Sequence, residues 1–169
     1  MEGGEDAFDR LRRRVFWRMP SGLYLLGSAA GGRRNLMTLN WATQLSFEPK
    51  LVGIGVEQTA VTHALIREGG AFSLCLLSRD DQPIVRKFVK PVEVDEAAST
   101  LNGFAFHDGA VTGMPVLDQA VAFLECRLRQ EIACGNHTLF IGEVVNSGFQ
   151  LPEETPVLRM EDTRMHYGG

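Results

Sequence analysis

A mainly β chain with a few short helices, closing into an antiparallel barrel, is the fold that three features of these 169 residues predict. Residues 35–47 and 120–132 alternate with the period of two that a pleated strand imposes on its side chains. Residues 139–145 are apolar on both parities except at Glu143, as in a strand covered on both faces. Helical periodicity is brief, and Gly, Pro, Asn and Asp punctuate the runs between. So many antiparallel strands would expose sheet edges, which barrel closure removes. With 44% hydrophobic and 22% charged residues, the chain suits one domain over 1–169.

The elements follow in order. Phe8, Leu11, Val15 and Met19 recur at helical spacing, so residues 1–18 read as an N-terminal amphipathic helix. Arg12, Arg13 and Arg14 ahead of an apolar stretch look like a leader, but Arg18 and Pro20 interrupt the hydrophobic run, and the segment is expected to stay in the mature chain. A strand runs from Leu23 to about Ser28. The strand over 35–47 puts Thr38, Asn40, Ala42, Gln44 and Ser46 on a polar face, with Met37, Leu39, Trp41, Leu45 and Phe47 as a buried stripe. Pro49 turns the chain into a short strand over 51–56, thinned by Gly53 and Gly55. Thr59 or Thr62 caps a helix that reaches Glu68 and stops at Gly69-Gly70.

A strand over 71–77 comes next, then a second helix opened by Asp80 and Asp81, with Pro83 in its first turn and Pro91 as its stop. Residues 92–113 read as loop with short strand fragments. Over 120–132, Ala122, Leu124, Cys126 and Leu128 are expected to face inward and Glu125, Arg127, Arg129 and Glu131 outward. Residues 156–169 form a last short strand and a tail, MHYGG.

Composition excludes several classes. A net charge of −4 and the lack of RNA- or DNA-binding motifs argue against nucleic acid. No run approaches the roughly 20 apolar residues that span a bilayer, so no membrane role is expected. Cys75, Cys126 and Cys134 make an odd set without a CxxC pair, which fits a reducing, cytoplasmic setting. Nucleophile elbow, Walker loop and dinucleotide glycine turn are all missing. Asp80-Asp81 read as helix capping and Glu153-Glu154 as solvated loop. His63 and His137 have no carboxylate or thiol at ligand spacing, so no metal is expected.

Three segments retain chemical interest, each with a plain structural alternative. The polar face at 38–46 suits a flat, heteroatom-rich ligand, or is a solvated edge strand. The helix opening at Thr59 to His63 offers free N–H donors to a phosphate, or is simply capped. GNHTLFIGEV sets Asn136 and His137 at the mouth of a buried strand, where a histidine is a functional group or an ordinary loop residue. Arg86, Lys87 and Lys90 near a helix C-terminus either stabilise it or meet a phosphate.

Taken in chain order, MPSGLYLLGS, NLMTLNWATQLSFEPKLVGIGVE, TAVTHALIREGGAFSLCLLS, VRKFVK, PVLDQAVAFLEC, GNHTLFIGEV and PVLRMEDTRMHYGG resemble the flavin reductase-like family of FMN-binding split barrels. The resemblance implies an antiparallel Greek-key barrel, a homodimer, and FMN lying in a cleft between subunits. It further implies that Thr38, Leu39, Asn40, Trp41, Ala42, Gln44, Leu45 and Ser46 hold the flavin, with Thr62 and His63 on its phosphate side. Lys87 and Phe88 are implied near the cofactor. His137 is implied on the nicotinamide side, as the catalytic residue.

The family's usual Gly-Asp-His reads Gly135-Asn136-His137 here, which removes a carboxylate but keeps a carbonyl acceptor. The implied reaction takes a hydride from NADH or NADPH to FMN and supplies reduced flavin to oxygen or a partner monooxygenase. The alternatives are a non-enzymatic FMN electron carrier, which Asn136 favours, and a split barrel that binds haem or a deazaflavin.

Overall fold

The computed structural model describes residues 2–169, with side chains from Asp6 onward. Its centre is a seven-stranded antiparallel sheet made of β1 (Tyr24–Ala30), β2 (Arg33–Leu39), β3 (Ala42–Ser46), β4 (Leu51–Glu57), β5 (Ala71–Leu76), β10 (Ala122–Cys134) and β11 (His137–Phe149), in the order β2-β1-β5-β10-β11-β4-β3. The short strands β6 (Val94–Asp95), β7 (Thr100–Leu101), β8 (Phe104–Asp108) and β9 (Pro115–Leu117) form a small second sheet, and residues 92–113 are, as expected, loop with short strand fragments. Two α-helices, α1 (Glu2–Phe16) and α2 (Val61–Gly69), are described.

The two edges of the large sheet are consecutive in the chain. Leu39 ends β2 and Ala42 begins β3, with only Asn40 and Trp41 between. Crossing a flat seven-stranded sheet would take six interstrand gaps, roughly 29 Å. Three Cα steps reach roughly 10 Å. The sheet must therefore curl until its edges meet at this corner, where the Gly55 amide donates to the Trp41 carbonyl at 2.9 Å.

This corner corrects the continuous strand expected over 35–47. The alternation is real, but it belongs to two strands at opposite edges. Accordingly the polar row does not share one face, and Trp41, Leu45 and Phe47 are exposed rather than part of a buried stripe.

Strands β1 and β5 are covered on both faces. Leu25, Cys75 and Leu77 join a core with Ile84, Val85, Phe88, Val116 and Leu117, beneath the small sheet. Leu26, Phe72 and Leu74 join the other core with Val52, Ile54, Ile66 and Phe140. Gly142 leaves room for the Phe72 ring, since a β-carbon there would stand 2.6 Å from it.

Other expectations need correction. Helix α2 has Ala60 at its N-cap with no side-chain cap, so neither Thr59 nor Thr62 serves; its stop at Gly70, with φ of 66°, is as expected. The second helix is a 3-10 segment, Arg79–Phe88, kinked at Asp81 and capped by Ser78. A register shift between Glu125 and Cys126 turns Glu125 inward, where it is fully buried. In place of a strand over 156–160 there are two isolated bridges, Gly22 to Arg159 and Ser78 to Val157, followed by a 3-10 turn, Met160–Asp162.

Helix α1 is amphipathic as expected, yet Phe8, Leu11 and Val15 are exposed.

Candidate functional site

A cleft of about 410 Å³ opens beside the corner where the sheet edges meet. One wall is β2 and the residue after it, with Asn35, Met37, Thr38, Leu39 and Asn40. The opening of α2 supplies Thr59, Ala60 and Val61, and the end of the 3-10 segment supplies Phe88, Val89 and Lys90. Met160, Met165 and Tyr167 of the C-terminal stretch close it.

The wall residues differ in what they still have to offer. Thr38 Oγ1 donates to the Val85 carbonyl at 2.6 Å, tying β2 to the 3-10 segment. Asn35 Nδ2 donates to Thr62 Oγ1 at 2.7 Å in the interior. Asn40 is 9% exposed, and its amide makes no hydrogen bond with the described residues. Its polar atoms are not sealed from solvent, so the amide is free to meet a polar group that enters the cleft.

At the α2 end, the uncapped first turn faces the cleft with its backbone N–H groups and positive dipole end. That arrangement favours an anion. Lys90 adds a cation at the same rim.

Next to the cleft lies a smaller hollow of about 230 Å³, sharing Asn40, Met160, Met165 and Tyr167 with it and adding Trp41. Trp41 lies over Gly55, where a β-carbon would come within 3.3 Å of the indole. His137 packs against Trp41 at 4.7 Å between ring centroids, and Tyr167 meets the same indole edge-on at 5.2 Å. Burial first, then the Glu57 carboxylate, push the Tyr167 phenol above its ordinary pKa, so its proton is held at neutral pH.

Of the residues singled out in the sequence, Thr38, Leu39, Asn40 and Phe88 come together on the cleft wall, Trp41 lines the neighbouring hollow, and His137 packs against Trp41 without lining either. Thr62 and His63 sit behind the wall instead. His63 Nε2 is 2.8 Å from Thr138 Oγ1 and its ring rests on Phe140. Burial, then Arg67, lower its pKa, while Glu131 pulls weakly the other way. Ala42, Gln44, Leu45 and Ser46 lie on β3, away from the cleft of their own chain; Gln44 Nε2 donates to the Ser46 carbonyl at 3.1 Å. Lys87 is exposed, and it is Lys90 that reaches the rim.

Sequence reasoning passed over Asn35 and Tyr167, and named Thr59 and Lys90 only as open alternatives between a structural role and a phosphate contact. Thr59 and Lys90 lay inside segments already suspected, whereas Tyr167 offered only an aromatic residue in a glycine-ended tail. Glu125 was misassigned to solvent. It accepts hydrogen bonds from Thr112 N and Oγ1 and from Val111 N, and Asn146 Nδ2 completes the set. Burial alone would raise its pKa, but these bonds outweigh burial and lower it, as for a structural anion pinning the 109–114 loop. Among the described residues no cluster of three or more His, Cys, Asp or Glu side chains could hold a metal.

Comparison with known proteins gives a consistent family. A family model described as flavin reductase like domain matches residues 16–168. An NADH-dependent FAD reductase of Streptomyces globisporus is 32% identical over 146 residues, covering 84% of this chain and 78% of that protein. The solved flavin reductase of the styrene monooxygenase from Pseudomonas putida S12 superposes with a TM-score of 0.71 at 27% identity, over 88% of this chain and 90% of that one. An FMN-binding protein from Thermus thermophilus gives a TM-score of 0.69 at 27% identity, over 79% and 74%.

Proposed function

The chain belongs to the flavin reductase-like family, and from that premise we propose that it is an NAD(P)H:flavin oxidoreductase that binds FMN in the cleft beside Asn40. The observation that carries this reading is the Asn40 amide, without a hydrogen-bond partner among the described residues and open to the cleft it lines. An isoalloxazine edge, rich in carbonyl and imide groups, satisfies such an amide. Bound there, the flavin would accept a hydride from NADH or NADPH and pass electrons to oxygen or to a partner monooxygenase.

The chain's own residues supply binding, orientation and exclusion of water. Leu39, Met37 and Phe88 give the apolar wall for a tricyclic ring, and the first turn of α2 with Lys90 gives the anion-seeking end for a phosphate. Thr62 and His63, behind that turn, act as its supports rather than as ligands. Trp41 and His137 flank the open side, where a nicotinamide ring would come into near contact. No acid–base pair or nucleophile is called for. Homodimerisation brings the partner's β3, with Ala42, Gln44, Leu45 and Ser46, to the shared cleft, in a Greek-key barrel and a cytoplasmic setting.

The test uses freshly purified protein. Absorption bands of oxidised flavin, retained or restored on adding FMN, are expected, and anaerobic mixing with NADH or NADPH bleaches them. FAD titrated in parallel decides the preference between the two flavins. A flavin that binds but bleaches with neither nucleotide replaces this reading with that of an electron carrier, the alternative that Asn136 favours. A Soret band overturns both.

A further inference from the structure

We propose that Asn136 and Tyr167 are positioning residues that hold the His137 imidazole in its Nδ1–H form, so that Nε2, beside Tyr167, is a hydrogen-bond acceptor and not a donor. Asn136 Oδ1 lies 2.8 Å from His137 Nδ1. An amide oxygen carries no proton, so the proton of this contact is on Nδ1. In the neutral ring the lone pair is then on Nε2. The Tyr167 hydroxyl stands 3.5 Å from that atom, and a phenol that keeps its proton is a donor. The two neighbours thus ask for the same ring state from opposite sides.

The ring's plane is held as well as its proton. Trp41 packs on both His137 and Tyr167. The tail that carries Tyr167 is tied down in turn: Trp17 Nε1 donates to the Gly168 carbonyl at 2.9 Å, and the Trp17 indole stacks on His166 at 4.6 Å. Pairing sets Glu57 and Cys134 on either side of His137 in the sheet, and neither side chain hydrogen-bonds the imidazole among the described residues. Asn136 and Tyr167 are therefore the groups that choose the tautomer.

The chemical consequence concerns what Nε2 can take. An N–H or O–H donor on an incoming molecule, such as a primary carboxamide on a pyridine ring, takes the Nε2 lone pair by displacing the Tyr167 hydroxyl, and His137 meets it as an acceptor rather than an acid. This step rests on the reading of His137 as the hydride-donor side of the cleft. The ring state itself does not, which lets the two fail separately.

The experiment records long-range ¹H–¹⁵N spectra of the full chain labelled at histidine, at mildly alkaline pH, alongside anaerobic reduction of its FMN by NADH and NADPH. The wild-type His137 ring is expected to show a protonated Nδ1 and a bare Nε2. Asn136→Asp, which keeps the acceptor, retains that pattern; Asn136→Leu shifts it toward the other tautomer; Tyr167→Phe keeps the pattern and moves the Nε2 resonance. Losing a contact of this kind is expected to raise KM for the nucleotide about tenfold in Asn136→Leu, with FMN affinity unchanged.

A protonated Nε2 in the wild type overturns the proposal, as does an Asn136→Leu spectrum identical to wild type or a Tyr167→Phe spectrum with Nε2 unmoved. Tautomer changes accompanied by unaltered nucleotide kinetics uphold the lock and remove His137 from the donor side.

Discussion

Single side chains at this cleft separate into those that have partners and those that wait for one. Thr62 has its partner, because Asn35 Nδ2 donates to it in the interior. Thr62→Ala would strand that buried amide proton, and a stability loss of about 1–3 kcal/mol is expected, read from urea midpoints. Asn40 waits. Asn40→Ala is expected to leave stability nearly unchanged and weaken FMN binding about tenfold, read by flavin fluorescence titration. The opposite split would move the flavin contact from Asn40 to Thr62. His63 gives a pH signature. Its pKa is lowered in the fold by burial, then Arg67, so just below the unfolded value of about 6.5 the unfolded chain takes up a proton that the native chain refuses. Stability is thus complete above about 6.5 and falls as pH drops toward the lower native value. His63→Gln is expected to flatten that slope in denaturation curves taken at mildly acid pH, whereas Glu125, a carboxyl held below its ordinary value by its hydrogen bonds against the cost of burial, acts only in stronger acid.

Whole elements carry the next set of constraints. Strand β1 sits between two cores, and Gly27 is its point of closest approach. A β-carbon there would stand 2.1 Å from Ser73 Oγ and 2.3 Å from the Pro115 carbonyl, a backbone atom that cannot swing aside. Gly27→Ala is expected to cost about 1–3 kcal/mol through forced separation of β1 and β9, measured as a lowered thermal midpoint. What the sequence disclosed and concealed follows the same physics. Strands β1, β4, β5 and β11 were legible because apolar runs between turn residues report local geometry directly. The break at Asn40-Trp41 was not, since a chain passing from one sheet edge to the other keeps its alternation and only barrel closure reveals the change of partner. Glu125 was misread for a related reason: a bulge shifts the parity by one residue and leaves no local mark. In the cleft, Asn40 and Phe88 were reachable through the family resemblance, while Tyr167 joins them from the far end of the chain, a distance that periodicity does not cross.

At the scale of the whole molecule, the exposed apolar surface is the feature that asks for an explanation. Strand β3 is an open edge of the large sheet, and at its end Leu45 is 45% and Phe47 85% exposed. Edge strands that stay free usually carry charge, proline or a covering element. This one carries Leu45 and Phe47 near the exposed Trp41 of the neighbouring hollow, and helix α1 adds a second uncovered stripe of Phe8, Leu11 and Val15. Apolar patches of this extent on an otherwise well-packed chain mark an association surface. A second copy is the occupant consistent with the dimer proposed above, because it would cover the β3 edge and complete the flavin cleft in one step. Light scattering on the purified chain is expected to return twice the 18.7 kDa protomer mass. A Leu45→Glu, Phe47→Glu double variant is expected to give the protomer mass and, since the cleft loses its second wall, at least about tenfold weaker FMN binding with little loss of protomer stability. A monomeric variant that binds FMN as tightly as the wild type would show that one chain builds the whole site, and would return Ala42, Gln44, Leu45 and Ser46 to the role of a solvated edge.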